Sequence, residues 1–339
     1  MKLDATMDVR DLRSITTAAA AAERIGFDAL WAPEFGNDPL LASALAAANT
    51  SRVKLGTGVM VAFPRSPMAT AYGAWDLAGL SRGRFILGLG TQVKGHIERR
   101  YSVKWEPPVP RMREYVESLR AIFKCWSEGA SRLSYQGRYY NFSLMTPFFA
   151  PAPHEFSRIP IYVAGVNPLI CKMAGELCDG LHAHPFNSPE YLRERVLPHV
   201  EAGLKKAGRK REDFSIVAGV FVITGASQKE IEQTRESVRQ QIAFYASTRT
   251  YHTVLETHGW GEVSARLHEK AARGDWRAMS REITDEMLEA FAVSGELDEV
   301  SAKVKTRYAG VLDRVAFYTV FRPGVEDERW RRLCVEFNS

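Results

Sequence analysis

Apolar and polar positions along this chain of 339 residues follow two alternating rhythms. Short runs rich in β-branched and aromatic residues give way to longer stretches in which apolar residues recur every three or four positions. These are the marks of strands and amphipathic helices. "KLDA" predicts a first strand, and "SITTAAAAAERIG" a helix that Gly26 ends. "FDALWA" with "PLLASALAAANT" forms a second pair, and "RVKLGTGV" with "PMATAYGAWDLAGLS" a third. "GRFILGLG" is a fourth strand whose helix is delayed until "RMREYVESLRAIFKCWSEG". Between this helix and the next strand, "RLSYQGRYYNFSL" alternates around Gly137 and reads as a hairpin. "IPIYVAG" with "NPLICKMAGELC" and "DGLHAH" with "SPEYLRERVLPHVEAGLKKAG" continue the pattern. "FSIVAGVFVIT" is a long seventh strand, followed by a helix-rich region from residue 228 to about 307. "RVAFYTVF" and a terminal helix to Phe337 complete the chain.

Eight strands, each followed by a helix, predict an α/β fold with a parallel sheet, closed as a (β/α)8 TIM barrel with insertions. A single domain over 1–339 is expected, with insertions around 97–110, 128–158 and 246–295. In such a barrel the chemistry sits at the C-terminal ends of the strands. Those ends are Glu34-Phe35, the stretch from Gly58 to Arg65, that from Gly90 to His96, Gly165-Val166-Asn167, and that from His182 to Phe186.

Composition adds little to this and removes some alternatives. The chain is 45% hydrophobic and 25% charged, which is ordinary for a globular protein. A net charge of +5 is spread along helices and interleaved with acids, so no basic, aromatic-rich patch for nucleic acid is expected. The cysteines Cys125, Cys171, Cys178 and Cys334 form no CxxC pair, and the seven-residue spacing of Cys171 and Cys178 places them on one helix face. Reduced thiols in a cytoplasmic protein are the expectation. "MKLDATMDVRD" has no signal-peptide core, and no apolar run approaches the roughly 18 residues that span a membrane.

Four strand ends carry chemistry. "LGTGVMVAFPRSPMATA" puts Val59, Met60, Val61 and Phe63 into a strand-to-helix connection, where polar residues are usual. Such a loop has to cover something apolar, either protein or a flat ligand. "GLGTQV" fails as a dinucleotide fingerprint, because Val93 replaces the third glycine and no helix is expected to open there. Its glycines either let the strand bend out or let a ligand approach, and Thr91, Gln92 and His96 are hydrogen-bonding types at the strand end. In "YVAGVNP", Asn167 can cap a helix that Pro168 starts, and the free amides there favour a phosphate. His182 and His184 form an HxH that could face the barrel mouth; further ligands for a metal are missing, so no metal is expected.

Five segments in register resemble the bacterial luciferase-like superfamily, and most closely its coenzyme F420-dependent oxidoreductase branch. They are "AAAERIGFDALWAPE", "VKLGTGVMVAFPRSPMATA", "GRFILGLGTQVKGHIERRY", "MREYVESLRAIFKCW" and "IPIYVAGVNPLICKMAGELCDGL". The resemblance runs continuously to about residue 200 and is loose beyond. It implies a TIM barrel with a deazaflavin or isoalloxazine ring held at the mouth against a bulge after strand three. Gly58, Val59, Met60 and Val61 would be the wall behind the ring, with a non-prolyl cis peptide at Gly58–Val59. The phosphate would lie on the amides of Ala164, Gly165, Val166 and Asn167, and Thr91, Gln92, His96 and His184 would border the cofactor. Two positions depart from the sugar-phosphate dehydrogenases of this branch. Glu34-Phe35 stands where they have an acid followed by a catalytic histidine, and Val93 where they have a glutamate.

The expectation is therefore an oxidoreductase that transfers a hydride between coenzyme F420 and a small organic substrate. Glu34 and His96 are the residues expected to handle protons, and a homodimer is expected from the family. An FMN-dependent monooxygenase is the enzymatic alternative, and a non-catalytic flavin-binding protein the alternative of another class.

Overall fold

The computed structural model describes residues 1–129 and 132–339, so residues 130 and 131 of the insertion expected over 128–158 lie outside the described residues. Eight parallel strands close the barrel. They are β1 (Lys2–Met7), β2 (Ala29–Ala32), β3 (Lys54–Thr57), β4 (Phe85–Gly90), β5 (Ile161–Gly165), β6 (Gly180–Ala183), β7 (Ser215–Ile223) and β8 (Arg314–Phe321). Neighbours pair in chain order, and the ring closes where Leu3 of β1 faces Val315 of β8. The expected TIM barrel is the observed fold.

Local chemistry explains the helix starts. Asp38 caps helix α2 (Pro39–Ala48) by accepting from the Leu40 N–H, and Ser66 caps α3 (Pro67–Leu80) by accepting from the Met68 N–H. In both, proline occupies the first turn, where its missing N–H leaves no orphan. Gly26 ends the helix Ile15–Ile25 at φ +113°, a conformation that side chains rarely adopt. The hairpin expected around Gly137 forms between Tyr135–Gln136 and Asn141–Phe142. Cys178 follows the end of the helix Pro168–Leu177 in extended conformation, so it does not share a helix face with Cys171. All four cysteines are buried, and none forms a disulfide among the described residues.

Three departures shape the mouth of the barrel. After Thr57 the chain leaves β3 through a cis Gly58–Val59 bond, and Met60–Val61 then pairs with the end of β4. The register between β1 and β8 slips after Asp4↔Ala316, resuming at Thr6↔Val320; this bulge leaves Tyr318 and Thr319 exposed. Finally, β8 pairs only with the first half of β7, and Phe221 to Ile223 pair instead with a short strand, Ala292–Ser294. That strand has no pattern of its own in the sequence, and it is built by the helical insertion between β7 and β8. Among the described residues no helix is long and apolar enough to cross a membrane.

Candidate active site

The lumen is a packed plug. At its floor Asp4, fully buried, accepts from the Arg314 guanidinium at 2.6 and 2.9 Å and from the Trp31 indole N–H at 2.8 Å. Trp31 fills the middle with Tyr162, Ile86 and Val217. Glycines make room for it: a Cβ on Gly56 would lie 2.4 Å from the Trp31 ring, and one on Gly58 2.9 Å from the Trp31 Cβ. Gly88 is crowded by protein as well, since a Cβ there would sit 2.0 Å from the Thr57 carbonyl oxygen. The strand-four glycines therefore answer to packing, not to a ligand approaching the backbone at Gly88.

At the bulge the expected wall has to be corrected. Met60, Val61, Ala62 and Phe63 are all buried, with Phe63 packed edge-on to Trp105 and beneath the Arg111 guanidinium. Their side chains cover protein. Only Gly58 and Val59 remain half-exposed. Glu34 is the clamp behind them. Its carboxylate accepts from the Val61 N–H (2.7 Å), from Arg65 (2.9 and 3.1 Å) and from the Tyr101 hydroxyl (2.7 Å). Arg65 also donates to Asp38 (3.0 Å) and to the Val61 carbonyl (2.9 Å). Burial, together with the adjoining carboxylate, pushes the Tyr101 phenol up, so it stays a donor.

Beyond β4, a short helix does open at Lys94–Arg99, contrary to the sequence reading. His96 sits on it, exposed. Thr91 and Gln92 are half-exposed at the strand end. Gln92 adopts φ +56°, an uncommon conformation for a side-chain-bearing residue, and its own Oε1 accepts from the Val93 N–H at 2.9 Å.

The turn after β5 leaves a helix start bare. Asn167 is the N-cap of α4 (Pro168–Leu177) by position, yet its side chain makes no capping bond. Asn167, Pro168 and Leu169 are exposed, Ala164 and Val166 half-exposed. An uncapped first turn offers unpaired amides and the positive end of the helix dipole to an anion. Gly165 points the other way: its Cβ would meet Ile170 and Leu181 at 2.9 Å. Substituting it would disturb packing, so it is no test of phosphate binding. Tyr191 is a better one, because its hydroxyl donates to the Val166 carbonyl at 2.6 Å. Tyr191→Phe should raise the Kd for a phosphate-bearing cofactor about fivefold, the scale of one hydrogen bond, while lowering stability by only about 1 kcal/mol. Titration beside a melting curve separates the two.

His182 and His184 do not converge on a metal. His182 lies inside the plug, 4.7 Å edge-on to Trp31 and 5.7 Å from Tyr162 between ring centroids, and its Nε2 is buried with no partner. His184, one layer higher, stacks on Tyr251 at 4.1 Å. Among the described residues no group of three or more His, Cys, Asp or Glu is placed to hold a metal ion. Burial holds both imidazoles down to about 3, the Arg314 charge adding to the effect on His182. The folded protein therefore keeps them neutral, while the unfolded chain takes up protons below about 6.5. Stability contributed by this difference is present above pH 6.5 and is lost as the pH falls toward 3. Between pH 7 and pH 5 each histidine should remove about 1–2 kcal/mol. A His182→Gln variant should lose correspondingly less over that interval in urea melts.

Comparison with known proteins agrees with this fold. The family model described as luciferase-like monooxygenase matches residues 2–314. An uncharacterized protein of Mycobacterium tuberculosis is 44% identical over 315 residues, covering 93% of this chain and 92% of that one. The 5,10-methylenetetrahydromethanopterin reductase of Archaeoglobus fulgidus is 32% identical over 303 residues, covering 87% and 86%. Among solved structures, the coenzyme F420-dependent tetrahydromethanopterin reductase of Methanopyrus kandleri superposes with a TM-score of 0.79 at 22% identity, covering 99% of this chain and 97% of that one.

Proposed function

Because the chain belongs to the luciferase-like monooxygenase family, we propose that it is an oxidoreductase that binds coenzyme F420 at the barrel mouth and exchanges a hydride between it and a small organic substrate. The observation that carries this reading is the pairing of a backbone edge at Gly58–Val59 with an uncapped helix start at Asn167 on the same end of the barrel. A flat ring and a phosphate need those two features together. The likeness to the coenzyme F420-dependent reductase of Methanopyrus kandleri supports F420 as the ring. When bound, the cofactor would supply the carbon that gives or takes the hydride.

The chain's own part would be placement and proton handling. Gly58 and Val59 would back the ring, with Met60 and Val61 contributing only backbone. The amides after Ala164, Gly165 and Val166, with Asn167, would hold the phosphate. Thr91, Gln92 and His96 would border the ring on the β4 side, and His96, exposed and without a side-chain partner among the described residues, would exchange a proton with solvent. Glu34 is saturated by Val61, Arg65 and Tyr101, so its part would be to position the bulge.

Two further readings complete the proposal. Helices α2 and α3 are apolar on nearly all sides, and Leu41 and Leu80 are more than half exposed on them. Phe148 and Phe149 stand in the open beside them, and the Phe149 carbonyl accepts from the Tyr72 hydroxyl of α3 at 2.6 Å. A second copy of the chain is the occupant this surface would take, giving a homodimer. Four cysteines outside any disulfide suit a cytoplasmic setting. Separate absorbance titrations with F420 and with FMN test the cofactor. Saturable binding of F420 with FMN at least tenfold weaker is expected, and the reverse order would move the protein to the flavin-dependent branch.

A further inference from the structure

Around the ring of strands, β3 and β4 carry the bulge and β5 the bare helix start, so the cofactor features occupy one side of the mouth. The opposite side is built by β6, β7 and β8 with the helical insertion, and it is aromatic. Tyr318 stands exposed on the β8 bulge. Tyr245, from the helix Gln228–Ala246, shares a hydrogen bond with the Tyr318 hydroxyl. Tyr245 also meets the His184 ring edge-on at 4.5 Å, Tyr251 stacks on that imidazole at 4.1 Å, and the two phenol rings lie 6.2 Å apart. Tyr318 is presented by a three-against-one register slip that turns it out to the mouth.

We propose that His184, Tyr245, Tyr251 and Tyr318 form the substrate's wall, and that the substrate is a flat conjugated molecule carrying a carbonyl or similar acceptor oxygen. This rests on the reading of the opposite side as the cofactor's, and it assigns His184 to the substrate instead of the cofactor. Planarity follows from the rings. Aromatic faces and edges reward a flat partner, and the layer offers little to a branched aliphatic one. The acceptor follows from hydrogen-bond polarity. His184 Nδ1 accepts from the Phe186 N–H at 3.1 Å, and burial keeps the ring neutral, so its one proton is on Nε2 and can only be donated. Of the two tyrosine hydroxyls one donates to the other, and the accepting oxygen keeps its own proton for a third group. Burial raises both phenols, so both stay protonated near neutral pH. The wall therefore presents donors and no carboxylate or amine.

Coumarin (flat, with a carbonyl) and naphthalene (flat, without one) are the probes, measured by calorimetry on the full-length protein, with an F420 titration of every variant alongside. Coumarin is expected to bind the wild type more tightly than naphthalene. Tyr318→Phe should weaken coumarin about fivefold and leave naphthalene within twofold, because it removes one hydroxyl and keeps the ring. Tyr251→Leu should weaken both about tenfold. F420 affinity should stay within twofold in both variants, with melting temperatures showing that each is folded. Equal coumarin affinity in wild type and Tyr318→Phe, or no binding of coumarin by the wild type, overturns the proposal. So does a Tyr251→Leu variant that loses F420 instead, since the wall would then belong to the cofactor. A wild type that binds coumarin with this pattern and does not bind F420 leaves the wall standing and removes the cofactor reading alone.

Discussion

Glu34→Ala should raise the Kd for F420 at least 100-fold and remove about 2–4 kcal/mol of folding stability. Its carboxylate is 8% exposed and joins three separate stretches of chain: the bulge through the Val61 N–H, the loop before α3 through Arg65, and the insertion after β4 through Tyr101. Removing it leaves the Arg65 guanidinium, 21% exposed, with Asp38 as its remaining carboxylate, and leaves the Val61 N–H buried without an acceptor. The backbone edge at Gly58–Val59 then loses the support that fixes it. Glu34→Gln discriminates between positioning and proton transfer. The amide oxygen still accepts from Val61, so cofactor binding should fall no more than about tenfold, and turnover at saturating cofactor should survive. A general acid or base would show the opposite split, with binding kept and turnover lowered by 10²-fold or more. An alanine variant that binds F420 like the wild type would show that the bulge holds its shape unaided.

Phe149→Asp combined with Leu41→Asp should convert a dimer to a monomer at micromolar concentration, weakening self-association by about 10³-fold or more. Phe148 is 88% exposed and Phe149 65%, packed against each other at 5.1 Å in the turn that lies on α3. Large aromatic groups in that position leave much apolar surface facing water in a lone chain. Carboxylates there would have to be desolvated without partners in any interface. Sedimentation velocity reads the result directly. A wild type that sediments as one chain would remove the dimer, and the patch would then need another explanation.

Most of the barrel was legible because its strands are short, apolar and bounded by glycine or by capping residues. Gly26, Asp38-Pro39 and Ser66-Pro67 mark helix ends in the sequence as clearly as in the structure. What was not legible depends on contacts between distant segments. The strand Ala292–Ser294 exists because β8 diverges from β7, and nothing local announces it. The helix at Lys94–Arg99 lacks a side-chain N-cap, so the usual starting signal was missing. The apolar run after Gly58 is unusual for a connection, but composition does not say which of its faces meet protein. Met60 and Val61 proved to be core and Gly58 and Val59 rim. Glu34 was found by its position at a strand end, and its role as a clamp only emerges from the three donors that surround it. Tyr245, Tyr251 and Tyr318 were missed altogether. They come from two regions where the resemblance had faded, and only the fold brings them together.

The indole of Trp31 has a kinetic consequence. With Trp31, Tyr162 and the Asp4–Arg314 pair filling the lumen, a molecule at the mouth meets packed protein beneath it. A cofactor and a substrate held at the mouth as proposed would therefore enter and leave at the same end of the barrel. Two ligands held side by side at that end would share one path to solvent, so an excess of one would slow the release of the other.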